Sequence, residues 1–327
     1  MGGGGTWLIR RIAAAAAIVF AVVSLTFVAI HLAPGSPFLP PPDRPLDTAV
    51  VARLNRQFGL DQPLRVQYVL YLKNLARGNL GYAFSRGQTV RSALATAIPD
   101  TLLLAGTALA LDLGLGLILG IILAARARHA TDLILSNVTL FIYSVPAFWL
   151  GLVLVFVFAD WLHWFPAGFP TSPGLYESLP FLGQLGDRIH HLALPALTLG
   201  LVGAAGTARY QRAALLETLG REFVRTARAK GVSERRVILV HALRNSLLPL
   251  ITLAGLSLPF LLTGSVLIES VFSWPGMGRM ATDAVLARDH ALVTAIAMVA
   301  SAMVVTGSLV ADVLYAAADP RIRERAS

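Results

Sequence analysis

Long apolar stretches alternate with shorter polar ones along the whole chain. Six of the apolar stretches could each cross a hydrocarbon core about 30 Å thick, which takes a helix of about 20 residues. They lie near residues 9–31, 101–125, 133–159, 192–211, 247–270 and 291–317. The pattern predicts an all-α, polytopic membrane protein with six transmembrane helices. An even number of spans places both termini on one side of the membrane.

The first apolar stretch follows Arg10 and Arg11, as the hydrophobic region of a signal peptide would. It is too long for such a region and has no clear small-x-small cleavage site. We therefore expect it to be retained as the first span.

The polar segments predict how the connections are arranged. A large first extracytoplasmic region begins with a proline-rich run, which disfavours helix, and shows helical apolar spacing over 64–77. The second external loop is rich in aromatic residues, which is typical of a membrane interface, and the third predicts a short re-entrant helix over 279–288. The predicted division is 1–100 for the first transmembrane helix with the extracytoplasmic region, 101–317 for the transmembrane core, and 318–327 for a cytoplasmic tail.

Composition agrees with a membrane protein. The 327 residues are 56% hydrophobic and 14% charged, whereas soluble domains average about 25% charged residues. The net charge of +9 could indicate nucleic-acid binding, but no basic patch is interleaved with exposed aromatic residues as single-strand binders require. The absence of cysteine excludes disulfides and thiolate chemistry.

The distribution of Lys and Arg predicts the orientation. Sixteen of these 27 residues fall on the side of the two termini. Eight of the other eleven lie in the long first external region, where charge has little effect on orientation. We therefore expect both termini, and the basic segment 221–236, to be cytoplasmic.

The basic segment 221–236 has the helix-ending and helix-capping residues of two short helices. Gly231 can take the left-handed conformation that ends a helix, and Ser233 can cap the next one. Arg221, Arg225 and Arg228 recur at helical spacing, with Phe223 and Ala227 elsewhere on the turn. Such a segment is either a docking element for a cytoplasmic partner or an ordinary solvated cytoplasmic loop whose positive charge follows the positive-inside rule.

Other candidate sites carry weaker signals. Lys73 and Lys230 are the only lysines, and neither follows a phosphate-binding glycine loop, so the chain is not a P-loop ATPase. Asp112 lies within the second apolar stretch and either contacts a translocation path or makes a hydrogen bond between helices. We expect Glu269 to be an interfacial carboxylate paired with a group such as Arg279. We expect the neighbouring histidines at 190 and 191 to be interfacial and not metal ligands.

The basic segment also carries a resemblance to a known family. Phe223 to Gly231, followed by His241-Ala-Leu-Arg-Asn245 and Leu248-Pro249, is similar to the coupling-helix region of ABC importer permeases. The chain resembles in particular the first of the two permease subunits of the dipeptide/oligopeptide branch. Further motifs of that branch occur in the same order, at residues 32–37, 59–63, 78–82, 146–151, 194–200, 272–278 and 319–323.

The resemblance implies a fold of the type I ABC importer kind with a cytoplasmic coupling helix at about 222–231, in the cell inner membrane. The implied partners are a second, homologous permease subunit, two cytoplasmic ATPase subunits and an extracytoplasmic substrate-binding protein, with no nucleic acid. No cofactor would bind directly, and the partner subunits would use ATP and Mg. The residues implied to dock on an ATPase are Glu222, Phe223, Val224, Arg225, Thr226, Ala227, Arg228, Ala229, Lys230 and Gly231.

Several functions remain open at this point. The branch includes permeases for dipeptides, longer peptides, glutathione and nickel. A different class would be a self-sufficient, proton-coupled secondary transporter with Asp112 as its titrating group. Such carriers usually contain inverted repeats, and none is evident in this sequence.

Overall fold

A computed structural model describes residues 3–32, 61–247, 250 and 266–318. The protein is helical over most of these ranges, as predicted. In chain order the helices are α1 (Gly3–Leu32), α2 (Leu64–Ala76), α3 (Val90–Ala125), α4 (Ala130–Ser144), α5 (Ala147–Leu154), α6 (Phe181–Leu219), α7 (Glu222–Ala229), α8 (Glu234–Arg236), α9 (Leu243–Ser246), α10 (Val266–Val271), α11 (Met277–Leu286) and α12 (His290–Ala318). A two-residue hairpin pairs β1 (Tyr82–Ala83) with β2 (Gln88–Thr89). Wider π-helical turns, Val155–Trp161 and Val237–Ala242, continue α5 and join α8 to α9.

Four of the predicted spans are present as long apolar helices. They are Ala13–Ile30 within α1, all of α3, all of α6, and His290–Val310 within α12. The helices α3 and α6 have 36 and 39 residues, which corresponds to about 54 and 58 Å at 1.5 Å per residue. Both therefore continue well beyond the boundaries predicted from hydropathy, because polar residues at a membrane surface do not end a helix. Most of the predicted span 247–270 lies outside the described residues.

The predicted span 133–159 is not one continuous helix. The helix α4 ends at Ser144, and the helix that begins at Ala147 leaves at an angle of 106°. Val145 between them is extended (ψ 135°) and Pro146 is the N-cap of α5. The break follows from Pro146, which cannot donate a backbone hydrogen bond and disfavours helical geometry in the residue before it. Counting this bent pair as one span gives five candidate spans in the described part of the chain.

The chain divides into two compact units, one built mainly from residues 100–279 and the other from 12–99 and 280–302. The division at residues 100 and 317 expected from the sequence stays a prediction. In the second unit, the Ser24 and Tyr68 hydroxyls lie 2.7 Å apart and join α1 to α2. Asp289, 2% exposed, accepts hydrogen bonds from the Ser85 hydroxyl (2.8 Å) and backbone N–H (2.9 Å), and so holds the hairpin to the start of α12.

In the first unit, glycines let α3 and α6 approach closely. A side chain at Gly120 would place its Cβ 2.6 Å from Cβ of Gln211, and one at Gly200 would come equally close to Cβ of Leu111. A Cβ at Gly116 would be 2.5 Å from Cγ2 of Thr207. The absence of a side chain therefore permits close packing at these positions, whereas no atom lies within 4 Å of the Cβ position of Gly114.

Candidate functional site

The basic segment 221–236 begins with a short helix at the predicted place. The helix α7 follows the end of α6 almost directly, and Arg221 is its N-cap with an extended backbone (φ −74°, ψ 154°). Glu222 lies in its first turn, where a negative charge interacts favourably with the helix dipole. The local sequence signals therefore define both the existence and the start of this helix.

Gly231 ends the helix as the sequence predicts. Its φ angle is +77°, in the left-handed region. The Val232 N–H donates to the Ala227 carbonyl at 3.2 Å and the Gly231 N–H donates to the Arg228 carbonyl at 2.9 Å, which together form a Schellman motif. No atom lies within 4 Å of the position that a Cβ of Gly231 would take, so backbone conformation and not crowding requires glycine there.

Ser233 occupies the N-cap position of α8, but it caps that helix differently from the prediction. Its backbone is extended (φ −60°, ψ 142°), and its side chain makes no capping hydrogen bond. The Arg236 N–H instead donates to the Ser233 backbone carbonyl at 2.9 Å. The side chain of Glu234, in the first turn of α8, is held by Arg228, which donates to its two carboxylate oxygens at 2.9 and 2.6 Å.

The buried side of α7 consists of Val224 and Ala227, which are 0% and 9% exposed. They pack against Val237, Leu219 and Val232 of the same chain. Of the residues expected to dock on a partner, these two therefore hold the helix to its own protein. Sequence reasoning missed this role, although the i, i+3 spacing of two small apolar residues indicates it.

The exposed side of α7 combines one large apolar residue with charge. Phe223 is 41% exposed. The Arg228–Glu234 pair ties the exposed side to the next helix, and its hydrogen bonds lower the pKa of the Glu234 carboxyl group. The remaining predicted docking residues are exposed: Glu222, Arg225, Thr226, Ala229, Lys230 and Gly231. The arrangement is a short amphipathic helix with a fixed orientation and an open outer surface.

Asp112 lies in α3 with 4% of its surface exposed. The Thr207 hydroxyl of α6 donates to its Oδ1 at 2.6 Å. The carboxyl group fits against Gly203, where a Cβ would be 2.6 Å from the Asp112 Cγ. This is the geometry of a hydrogen bond between helices, while a role in the translocation path stays a prediction.

We expect Asp112→Asn to reduce uptake by less than about tenfold, because Asn still accepts the Thr207 hydrogen bond and the net difference is on the order of 1 kcal/mol. Uptake by reconstituted vesicles measures the effect. Thr207→Val, which removes the donor and keeps the shape, is the matched variant and should give a larger loss, because it leaves a buried carboxylate oxygen without its donor. Complete loss of uptake in a well-folded Asp112→Asn protein would instead make this carboxylate a titrating transport residue.

Glu269 is buried within the protein, and its position at the membrane interface stays a prediction. It is 0% exposed. Its Oε1 accepts the Thr101 hydroxyl at 3.0 Å and its Oε2 accepts the backbone N–H of Arg279 at 2.9 Å. Arg279 is thus a partner, as expected, but through a backbone N–H at the start of α11.

The motif at 272–278 is built around this carboxylate. Trp274 is 0% exposed and donates from Nε1 to the Asp100 carbonyl at 2.9 Å. The Met277 N–H donates to Thr101 Oγ1 at 2.7 Å. Gly276 and Gly278 leave room for the Glu269 carboxyl group, which a side chain at either position would meet. The loop and the first turn of α11 are thereby fixed to α3.

Ser172, Asp187 and His191 come together without forming a catalytic triad. The Ser172 hydroxyl donates its hydrogen bond to Asp187 at 2.6 Å. In a catalytic triad the serine hydroxyl would instead donate to the histidine, which takes its proton. The Nδ1 atom of His191 lies 3.0 and 2.9 Å from the carbonyl oxygens of Gly168 and Phe169. His191 is 6% exposed, so it is buried within the protein, and the cluster holds the loop that precedes α6 against that helix. The interfacial position of the two histidines stays a prediction.

The fold and the site define a class of protein: a helical membrane bundle with a short amphipathic helix held outside the apolar spans. Among the described residues, no three potential metal ligands converge. The outer surface of α7 is open, and polar contacts join the long helices.

Comparison with known proteins gives the family. Residues 116–324 match the family described as "Binding-protein-dependent transport system inner membrane component", and residues 6–105 match its N-terminal region. The chain is 37% identical to the oligopeptide transport system permease protein AppB of Bacillus subtilis, over 97% of this chain and 98% of that protein. It is 38% identical to the di/tripeptide permease DppB of Pseudomonas aeruginosa (98% and 99% coverage). It is 36% identical to the glutathione permease GsiC of Escherichia coli K12 (97% and 98% coverage).

The chain belongs to the inner membrane components of binding-protein-dependent transport systems. It is a permease subunit of an ABC importer, and ATP hydrolysis is carried out by a separate subunit. The resemblance seen in the sequence is therefore confirmed over nearly the whole chain.

Proposed function

We propose that this chain forms half of a translocation path for peptides across the inner membrane. The relatives named above transport oligopeptides, di- or tripeptides and glutathione, and these compounds share a peptide backbone. A second, homologous permease subunit supplies the other half of the path. An extracytoplasmic binding protein delivers the peptide, and both termini of this chain face the cytoplasm.

The observation that carries the proposal is the geometry of α7. Val224 and Ala227 fix its inner side to the chain. The outer side presents Phe223 beside basic residues. A short helix with one apolar anchor suits a groove on a cytoplasmic ATPase, in the helix-in-groove mode of recognition. Two ATPase subunits using ATP and Mg would drive the transition between inward- and outward-open states, as a rigid-body switch.

We expect Phe223→Ala to weaken recruitment of the ATPases by roughly tenfold or more, because a buried aromatic anchor often contributes 2 kcal/mol or more at an interface. Pull-down of the ATPases with the tagged chain measures recruitment. Uptake of a labelled dipeptide, with nickel as the comparison substrate, measures transport in the same vesicles. Both should fall together.

Arg236→Ala is the matched control for this experiment. Arg236 is exposed and lies beyond the end of α7, so its loss should have a much smaller effect. If Phe223→Ala recruits the ATPases normally while Arg236→Ala does not recruit them, α7 is not the docking element. Uptake of nickel without uptake of peptides would contradict the proposed substrate.

A further inference from the structure

Two adjacent residues near the C-terminal end of α6 bind two different segments of the chain. The first, Gln211, is 1% exposed, and its Nε2 donates to the Ser246 hydroxyl of α9 at 2.9 Å. That hydroxyl in turn donates to the Leu243 carbonyl at 3.1 Å. Because the hydroxyl has one proton, it can only accept from Gln211, so the network defines the direction of the bond.

The position of Gln211 is closely constrained. Its stem lies in the gap that Gly120 leaves in α3, where an added Cβ would be 2.6 Å from the Gln211 Cβ. Its Oε1 is buried and has no hydrogen-bond partner within the described ranges. A buried, unpaired amide oxygen costs free energy. An apolar side chain of similar size would avoid that cost, so packing alone does not account for a glutamine at this position.

The second residue, Arg212, binds α4. Its Nε and Nη2 donate to Asp132 Oδ1 and Oδ2 at 2.9 and 2.8 Å, a bidentate arrangement that restrains orientation as well as distance. Asp132 is 6% exposed and also accepts the Arg128 N–H at 3.0 Å. Arg212 therefore connects α6 to the first turn of α4 and to the turn that precedes it.

Apolar packing continues from this pair to α7. Leu215, one turn beyond Gln211, packs against Ala242 at the end of the π-helical turn that precedes α9. Leu219, at the end of α6, packs with Val224 of α7 and with Val237. The segment from α7 to α9 is thus in contact with α6 through apolar side chains and through the polar bond at Gln211.

We propose that Gln211 and Arg212 are positioning residues that form the joint between α7 and the membrane helices. The apolar contacts are non-directional, whereas the Gln211–Ser246 bond and the Arg212–Asp132 pair fix the direction of α6 relative to α9 and α4. A displacement of α7 is thereby transmitted to α6 and α4 together. This inference rests on the proposed docking of α7 on an ATPase.

The test separates transmission from docking. In Gln211→Leu, size is kept and the polar bond is lost, so the ATPases should co-purify at wild-type levels. Peptide taken up per ATP hydrolysed should fall by about twofold to thirtyfold, the range of coupling changes found for such mutations. Ser246→Ala removes the same bond and should give the same loss, and the double variant should be no worse than either single one.

Arg212→Lys extends the test to the second contact and keeps the positive charge. We expect it to lower uptake per ATP as well, because an ammonium group cannot make the bidentate bond. Arg212 is partly exposed, so this variant gives a result even where a change at the buried Gln211 prevents folding. Thr198→Val is the matched control: Thr198 is buried in α6, and its hydrogen bond among the described residues stays within that helix, to the Leu194 carbonyl at 2.8 Å.

The outcomes are distinguishable. If the wild-type chain recruits no ATPase, the proposed function is wrong and the joint loses its basis. If the ATPases bind every variant and Gln211→Leu and Arg212→Lys keep wild-type uptake per ATP, the joint is wrong while the proposed docking stands. A loss in Thr198→Val equal to that in Gln211→Leu would also overturn the inference, since it would indicate general sensitivity of α6.

Discussion

Gly231→Val is expected to separate ATP hydrolysis from uptake while leaving the spans inserted in the membrane. The φ angle of +77° at this position is strained by at least about 1 kcal/mol for a β-branched residue. Since no atom lies within 4 Å of the new Cβ position, the strain is relieved by changing the backbone and not by moving a neighbour. The Schellman hydrogen bonds would then be lost, and α7 would no longer point toward the ATPase groove on which we propose that it docks. Substrate-stimulated hydrolysis and peptide uptake in reconstituted vesicles measure the separation.

Two variants control for this effect. Gly231→Asn should behave much more like the wild type, because Asn adopts left-handed geometry more readily than β-branched residues do. Gly220→Ala, at the end of α6, should be nearly neutral, because its φ of −80° is ordinary and its nearest contact would be 3.4 Å. If Gly231→Val couples hydrolysis to uptake as well as the wild type, the orientation of α7 does not determine coupling.

The second large effect is expected for Gly276→Ala, which should destabilise the fold. The new Cβ would overlap the carboxyl group of Glu269. That group is 0% exposed and is held by Thr101 and by the Arg279 N–H, so it has no free space to move into. Overpacking typically costs about 1–3 kcal/mol, and each buried hydrogen bond broken in the process adds about 1–3 kcal/mol. The midpoint of thermal unfolding of the detergent-purified protein measures the loss.

Gly114→Ala is the matched control for that measurement. Gly114 lies in α3 with nothing within 4 Å of its Cβ position, and alanine favours helix over glycine by about 1 kcal/mol. The control should unfold at the wild-type midpoint or slightly above it. Equal midpoints for Gly276→Ala and the wild type would mean that the carboxylate of Glu269 does not lie against this glycine.

The elements that could be predicted from the sequence are those with local causes. Long apolar runs indicate spans because a helix is the simplest way to satisfy backbone groups in lipid. The end of α7 at Gly231 is similarly local, since the left-handed residue and both of its hydrogen bonds lie within six consecutive residues. The break after Ser144 also has a local cause, because Pro146 is visible in the sequence. It was not predicted as a break, since proline within a span often bends a helix without ending it.

The contacts that could not be predicted join residues far apart in the chain. Thr207 and Asp112 are 95 residues apart, and Thr101 and Glu269 are 168 apart. The sequence shows that both carboxylates are unusual in an apolar segment, because charge is costly there. It does not show which hydroxyl or N–H compensates for that cost. The sequence suggested the side chain of Arg279 as a partner of Glu269, whereas in the structure the backbone N–H of Arg279 makes the bond.

The sequence by itself thus determined the helical membrane architecture, the family and the position of α7, because hydrophobic length, turn chemistry and motif order are properties of contiguous residues. Only the tertiary structure decided which face of α7 is open. Val224 and Ala227 are equally compatible with an inner or an outer face until Val237 and Leu219 pack against them. The same holds for Gln211, whose role depends on Ser246, 35 residues further along the chain. The direction of a side chain is set by what surrounds it in space, and that information resides in the packing of distant segments.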